Sequence, residues 1–162
     1  FPTQLNDAQL ALSSIGQYDV AASPLQMAMV AAGIANDGVL MEPYLTKSVR
    51  AANLQTVWTH KDTPMSTPMT RESAKQLQQM MVSVVNNGTG RNARIDGVTV
   101  GGKTGTAQTS PDKPPYAWFV GWSDKPKVAV AVFVESSNTE RSEIAGGRLG
   151  APIARDVIEA LR

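Results

Sequence analysis

Gly101-Gly102-Lys103-Thr104-Gly105-Thr106 puts one ammonium, two hydroxyls and three glycines within six residues. A cation beside hydroxyl donors suits the grip of a phosphate or a carboxylate, because charge-assisted hydrogen bonds are the strong ones. The segment follows Val98-Thr99-Val100, a strand-like run. Two chemistries compete for it. Gly97-x-x-x-x-Gly102-Lys103-Thr104 fits the G-x-x-x-x-G-K-[ST] pattern of a phosphate-cradling loop. The alternative is a carboxylate grip built on an extended strand. A plainer reading is an exposed edge strand whose lysine discourages aggregation. That reading accounts for Lys103 but poorly for its glycines, which weaken a strand and often mark a close approach by ligand or backbone.

The phosphate loop has the wrong surroundings. Three of its four variable positions, Val98, Thr99 and Val100, are β-branched and favour a strand over a tight cradle. A phosphate loop must open a helix at Lys-Thr, whose N-terminus supplies part of the anion binding. Here Gly105 follows, and Pro111 blocks a helix within two turns. With the phosphate loop disfavoured, the carboxylate grip and the exposed edge strand remain.

Other reactive types are few. The 162 residues contain no cysteine, which excludes disulfides, thiolate nucleophiles and Cys-ligated metals. The single His60 sits in a polar stretch and has no second histidine to share a metal. No metal or organic cofactor is indicated. The formal charge is +1 without a basic block, so nucleic acid is not an expected partner. Apolar residues are 42% and charged residues 18%, a globular composition. The longest apolar runs, Met27 to Ala35 and Val128 to Val134, are too short for a bilayer, which needs ~20 residues. Phe1-Pro2-Thr3-Gln4 is neither a start methionine nor a basic leader, and the chain reads as a fragment or processed product.

The elements that position Lys103 follow from caps and periodicity. Residues up to Tyr18 begin turn-like. Ser23, Pro24 and Gln26 form a helix start, and Leu25 to Ala35 is apolar on nearly every face, so this helix should be buried. Asn36-Asp37-Gly38 ends it, with Gly38 free to take a positive φ. Tyr44 to Ala51 and Gln55 to Thr59 read as short strands around Ala52-Asn53, and Thr63 to Pro68 as a connector. Thr70 caps a second helix with a stripe of Ala74, Leu77, Met81 and Val84, widened by Met80 and Val85. Val98 to Ala107, Tyr116 to Trp122 and Lys127 to Glu135 read as three strands. Their short connectors favour antiparallel neighbours. The third strand is apolar on both faces and should be covered on both sides. Ser136 to Gly147 reads as a mobile loop that could gate the cleft. A last helix starts at Pro152, with Ile153, Val157, Ile158 and Leu161 on one face. The fold class is α+β, an antiparallel sheet flanked by helices, in one unit spanning 1–162.

Lys103-Thr104-Gly105-Thr106 resembles the Lys-Thr-Gly element of penicillin-binding proteins and serine β-lactamases. The likeness extends over nearly the whole chain. Ser14-Ile15-Gly16-Gln17, Ser23-Pro24-Leu25-Gln26-Met27-Ala28 and Ile34-Ala35-Asn36-Asp37-Gly38 are similar to class B penicillin-binding proteins. So are Met81-x-x-Val84-Val85-x-x-Gly88-Thr89-Gly90, Ala117-Trp118-Phe119-Val120-Gly121-Trp122 and Ala151-Pro152-Ile153-Ala154. The string from Ser13 to Leu40 resembles most the actinobacterial penicillin-binding protein A type.

The resemblance implies the C-terminal portion of a transpeptidase domain. Its activity would be that of a serine D,D-transpeptidase, which cross-links peptidoglycan stem peptides and is acylated by β-lactams. By carry-over, Lys103 would supply charge near the substrate carboxylate and support proton transfer. The hydroxyls of Thr104 and Thr106 would bind that carboxylate, and Gly105 would let the substrate lie along the strand. The Thr106 N–H would be an oxyanion-hole donor. The family also implies the extracytoplasmic face of the membrane, with an anchor upstream.

The same resemblance exposes a gap. S-x-x-K and S-x-N should precede Lys103, and neither occurs upstream of it. Ser110-Pro111-Asp112-Lys113 has the first spacing, but its prolines make a turn where a helix start is needed. Ser136-Ser137-Asn138 has the second spacing but follows the last strand. The nucleophile is therefore expected on an upstream part of the same domain, possibly a separate chain. The isolated piece is expected to be inactive and to expose apolar surface where that part would pack. A serine β-lactamase or carboxypeptidase, and a penicillin-sensing receptor domain, are the alternatives within this chemistry.

Overall fold

The computed structural model describes residues 2–108 and 113–162. Helix α1, Asp7–Ser14, comes first. Asn6 accepts the Gln9 N–H at 2.9 Å and the Gln9 side chain accepts the Asn6 N–H at 3.0 Å. The expectation of turn-like residues missed this helix, because an asparagine box followed by no apolar stripe leaves little periodic signal. Helix α2, Pro24–Ala35, starts where the sequence placed it. Ser23 and Gln26 exchange their two capping bonds at 3.2 and 2.8 Å. Ser23→Ala should lower stability by about 1 kcal/mol, read by urea denaturation. Gly38 follows the helix at φ 93, and a Cβ there would also strike the Met69 carbonyl.

Four short strands come next. They are β1 Leu40–Met41, β2 Ser48–Arg50, β3 Thr56–Thr59 and β4 Pro64–Ser66. The expected hairpin is β2 paired antiparallel with β3. The stretch from Thr63 to Pro68 is more than a connector, since β4 pairs with β1. Pro64 donates no ladder bond, and a short two-stranded edge tolerates it.

Helix α3, Arg71–Asn87, is capped by Thr70, whose hydroxyl accepts the Ser73 N–H at 3.1 Å. The main sheet is β5 Val100–Ala107, β6 Tyr116–Asp124 and β7 Lys127–Val134. It is an antiparallel meander in that order, with unbroken register. A π turn at Gly146–Gly150 leads into α4, Ala151–Ala160.

The sheet has a core on each face. One joins Val100, Phe119 and the valines of β7 to Val85 of α3 and to Ala151, Ala154 and Ile158 of α4. The other joins Trp122 to Ile34 of α2 and Met81 of α3. Strand β7 is contacted by α2 and α4, but none of its residues is fully buried, so the cover expected on both sides is only partial.

Two burial expectations need correction. Helix α2 buries only Ala31, Gly33 and Ile34, while Leu25 is 60% exposed and Val30 47%. Its apolar outer face has no cover among the described residues. In α4 the buried stripe is Ala151, Ala154 and Ile158, and Ile153, Val157 and Leu161 face outward. Two alanines let the helix approach Phe119 closely, which bulkier residues on that face would prevent.

Candidate active site

Strand β5 lies at one edge of the sheet, so one side of its backbone has no strand neighbour. The register fixes which groups use that side. The Thr99 carbonyl accepts the Asp124 N–H at 3.1 Å, so odd-numbered residues bond to β6. Even-numbered residues therefore point their N–H and C=O groups off the sheet. Two contacts agree with this. The Thr104 carbonyl accepts Lys103 Nζ at 2.7 Å, and the Thr106 carbonyl accepts Gln17 Nε2 at 3.3 Å. The N–H of Thr106 points to the same free edge.

Side chains alternate between faces. Thr104 and Thr106 leave the strand on the face of Phe119, whereas Lys103 and Gly105 leave on the face of Trp118 and Trp122. The ammonium and the two hydroxyls therefore start on opposite sides. Lys103 Nζ reaches the free edge by folding back to the Thr104 carbonyl. Linear spacing alone does not disclose this split. The Thr104 hydroxyl is 2.7 Å from the Thr89 hydroxyl.

The glycines have an internal explanation that the sequence reading lacked. A Cβ on Gly101 would press into the Trp122 indole, and one on Gly102 into the Phe119 ring. One on Gly105 would stand 3.2 Å from Trp118 Cβ. Each aromatic comes from β6, and Gly101 and Gly105 lie directly opposite Trp122 and Trp118. The close approach that these glycines mark is made by the neighbouring strand's rings.

The phosphate-loop reading fails on geometry. Lys103 and Thr104 sit mid-strand, and the next described element after Ala107 is β6 rather than a helix. The edge-strand reading is right about position but says nothing of the groups presented there. Ser110 and its S-x-x-K spacing lie outside the described residues. Ser136, Ser137 and Asn138 lie in irregular chain after β7. The loop they begin is not uniformly loose. Gly146 and Gly147 are buried, the former packed on Trp118 and Gly105 and the latter on the Thr89 carbonyl.

A shallow groove of about 590 Å³ opens beside Thr106, lined by Gln108, Pro115, Glu140, Arg141 and Ile144 among others. A second depression, about 610 Å³, is lined by Arg94, Asp96, Arg155 and Glu159, and includes no residue of β5. Of the two, the first includes a residue of β5. Among the described residues no carboxylates and histidines cluster to hold a metal. Nor is any described helix long and apolar enough to cross a membrane. His60 stacks on Tyr44 with ring centroids 3.6 Å apart, a packed position in the β2–β3 region.

Sequence reasoning missed Gln17 and Thr89 as residues touching β5. Both stand in strings that carry the resemblance, yet they meet β5 from 89 and 15 residues away. No local spacing links them to it.

Comparison with known proteins places the chain in a family. The model of the penicillin binding protein transpeptidase domain matches residues 2–159. The peptidoglycan D,D-transpeptidase PbpA of Mycolicibacterium smegmatis is 42% identical over 158 residues, covering 94% of this chain and 32% of the relative. Stage V sporulation protein D of Bacillus subtilis is 30% identical over 165 residues, covering 98% of this chain and 25% of the relative. The ceftriaxone acyl-enzyme complex of penicillin-binding protein A from M. tuberculosis superposes with a TM-score of 0.85. It is 39% identical and covers 93% of this chain and 35% of that one. The chain spans about a third or less of the length of these relatives. With an edge strand bearing Lys-Thr-Gly-Thr, an α+β fold shared with solved transpeptidase structures and a family match over nearly every residue, this chain belongs to the penicillin-binding protein transpeptidase domain family and resembles its PbpA members.

Proposed function

We propose that this chain forms the Lys-Thr-Gly wall of a serine D,D-transpeptidase, within one transpeptidase domain that continues beyond it. One observation carries the reading. The backbone of Thr104 and Thr106 and the ammonium of Lys103 meet at a sheet edge that has no strand neighbour, where side chains alone hold the two carbonyls. An extended stem peptide can add to that edge as a strand, with its main chain paired and its terminal carboxylate near Lys103. The hydroxyls of Thr104 and Thr106 then donate to the carboxylate, and Gly105 leaves the strand open to the peptide.

A serine on another part of the domain attacks the carbonyl of the penultimate D-Ala. The Thr106 N–H donates to the oxygen that becomes negative. The bond to the terminal D-Ala breaks and its nitrogen takes a proton. An acceptor amine on a second stem then attacks the acyl-enzyme, and the serine oxygen leaves. A β-lactam places its carboxylate and carbonyl on the same groups and stays attached. No cofactor enters the reaction. The domain would work outside the cytoplasmic membrane, anchored by a segment not in this chain. The rest of the domain would cover the exposed apolar residues of α1, its C-cap and α2, among them Leu10, Ile15, Leu25 and Val30.

Intact mass and peptide mapping after treatment with penicillin G test the reading. The parent protein should carry one adduct on a serine outside residues 1–162, and the isolated chain none. No adduct on the parent would overturn the proposal. An adduct on Ser110 would move the nucleophile into this chain.

A further inference from the structure

We infer that Thr89 is a positioning residue that sets the direction of the Thr104 hydroxyl proton, an inference resting on the functional reading above. The Thr89 and Thr104 hydroxyls are 2.7 Å apart and share one hydrogen bond, in which either can donate. If Thr104 donates, it turns only lone pairs outward, and these repel a carboxylate. If Thr89 donates, the Thr104 proton is free for an anion at the strand edge. An incoming carboxylate selects the second arrangement, and the donated bond polarises Thr104 and strengthens its own donation.

Thr89 is held in place for this task. The N–H groups of Gly88 and Gly90, on either side, both donate to the Val84 carbonyl, at 3.0 and 3.1 Å. A side chain on either glycine would press on Val84. On its other side Gly147 packs on the Thr89 carbonyl, and the Gly147 carbonyl accepts Asn92 Nδ2 at 2.9 Å. The turn after α3, the segment before α4 and strand β5 therefore meet at one hydroxyl pair. An exposed threonine in a merely connecting turn requires none of these restraints.

The test uses the parent protein and penicillin G, with acylation kinetics resolved into the non-covalent dissociation constant and the first-order acylation step. Thr89→Val keeps the shape and removes the donor. It should weaken non-covalent binding about tenfold and change the acylation step less than about twofold. Thr89→Ser should restore wild-type binding, and all variants should melt with the wild type. In a Thr104→Val background, adding Thr89→Val should cost nothing further, since the hydroxyl it directs is gone. Unchanged binding in Thr89→Val would overturn the inference, as would a tenfold loss that persists without the Thr104 hydroxyl. A parent that binds the penicillin normally but shows either result retains the proposed function. A wild-type parent that is not acylated loses both.

Discussion

Lys103→Ala in the parent protein should cut the second-order rate of acylation by penicillin G about a thousandfold, or roughly 4 kcal/mol of transition-state stabilisation. The proposed substrate carries its charge to an edge where Lys103 is the cation of β5. Removing it leaves the carboxylate to hydroxyl and backbone donors, which are neutral and individually weaker. The fold should not suffer, because Lys103 is exposed and, among the described residues, its side chain bonds to the neighbouring carbonyl alone. The melting temperature of the variant should thus match the wild type while acylation collapses. Lys103→Arg should fall between the two, since it keeps the charge but replaces a compact ammonium with a broad planar fork. An alanine variant acylated within about threefold of wild type would remove Lys103 from the mechanism.

Gly102→Val should have the opposite profile, a loss of stability of about 3 kcal/mol through overpacking, read by urea denaturation of the parent. Phe119 is fully buried, and positions 90, 102, 121 and 150 all lie close around it as glycines. A side chain on Gly102 enters the ring itself, and the ring has no free side to move toward. The same crowding explains why α4 approaches through alanines. If the variant unfolds at the wild-type urea concentration, the cage around Phe119 is looser than its geometry indicates.

These two residues are neighbours in sequence, and they mark different limits of legibility. The chemistry of Lys103-Thr104-Gly105-Thr106 is written in its residue types, and the same letters carry the family resemblance. The role of Gly102 is not. Taken in isolation, the glycines suggested room for a ligand, and the rings that fill the space come from β6, 17 residues further on in the case of Phe119. The helix starts at Ser23 and Thr70 and the stop at Gly38 were legible because each depends on residues within one turn. The stripe of α4 was misread because two faces are apolar, and only the contact with Phe119 selects the smaller one.

The sequence by itself determined the starts of α2 and α3, the antiparallel meander, the α+β class and the identity of the strand that carries the chemistry. Caps, turn residues and side-chain periods act over a few residues, so a linear string contains them. The tertiary structure decided that Lys103 and the two threonines leave β5 on opposite faces, that the Thr104 and Thr106 backbone faces an open edge, and that Gln17 and Thr89 come to meet it. Those facts depend on register and on packing between distant segments. A one-residue slip would reverse every face while leaving the local signals as they are.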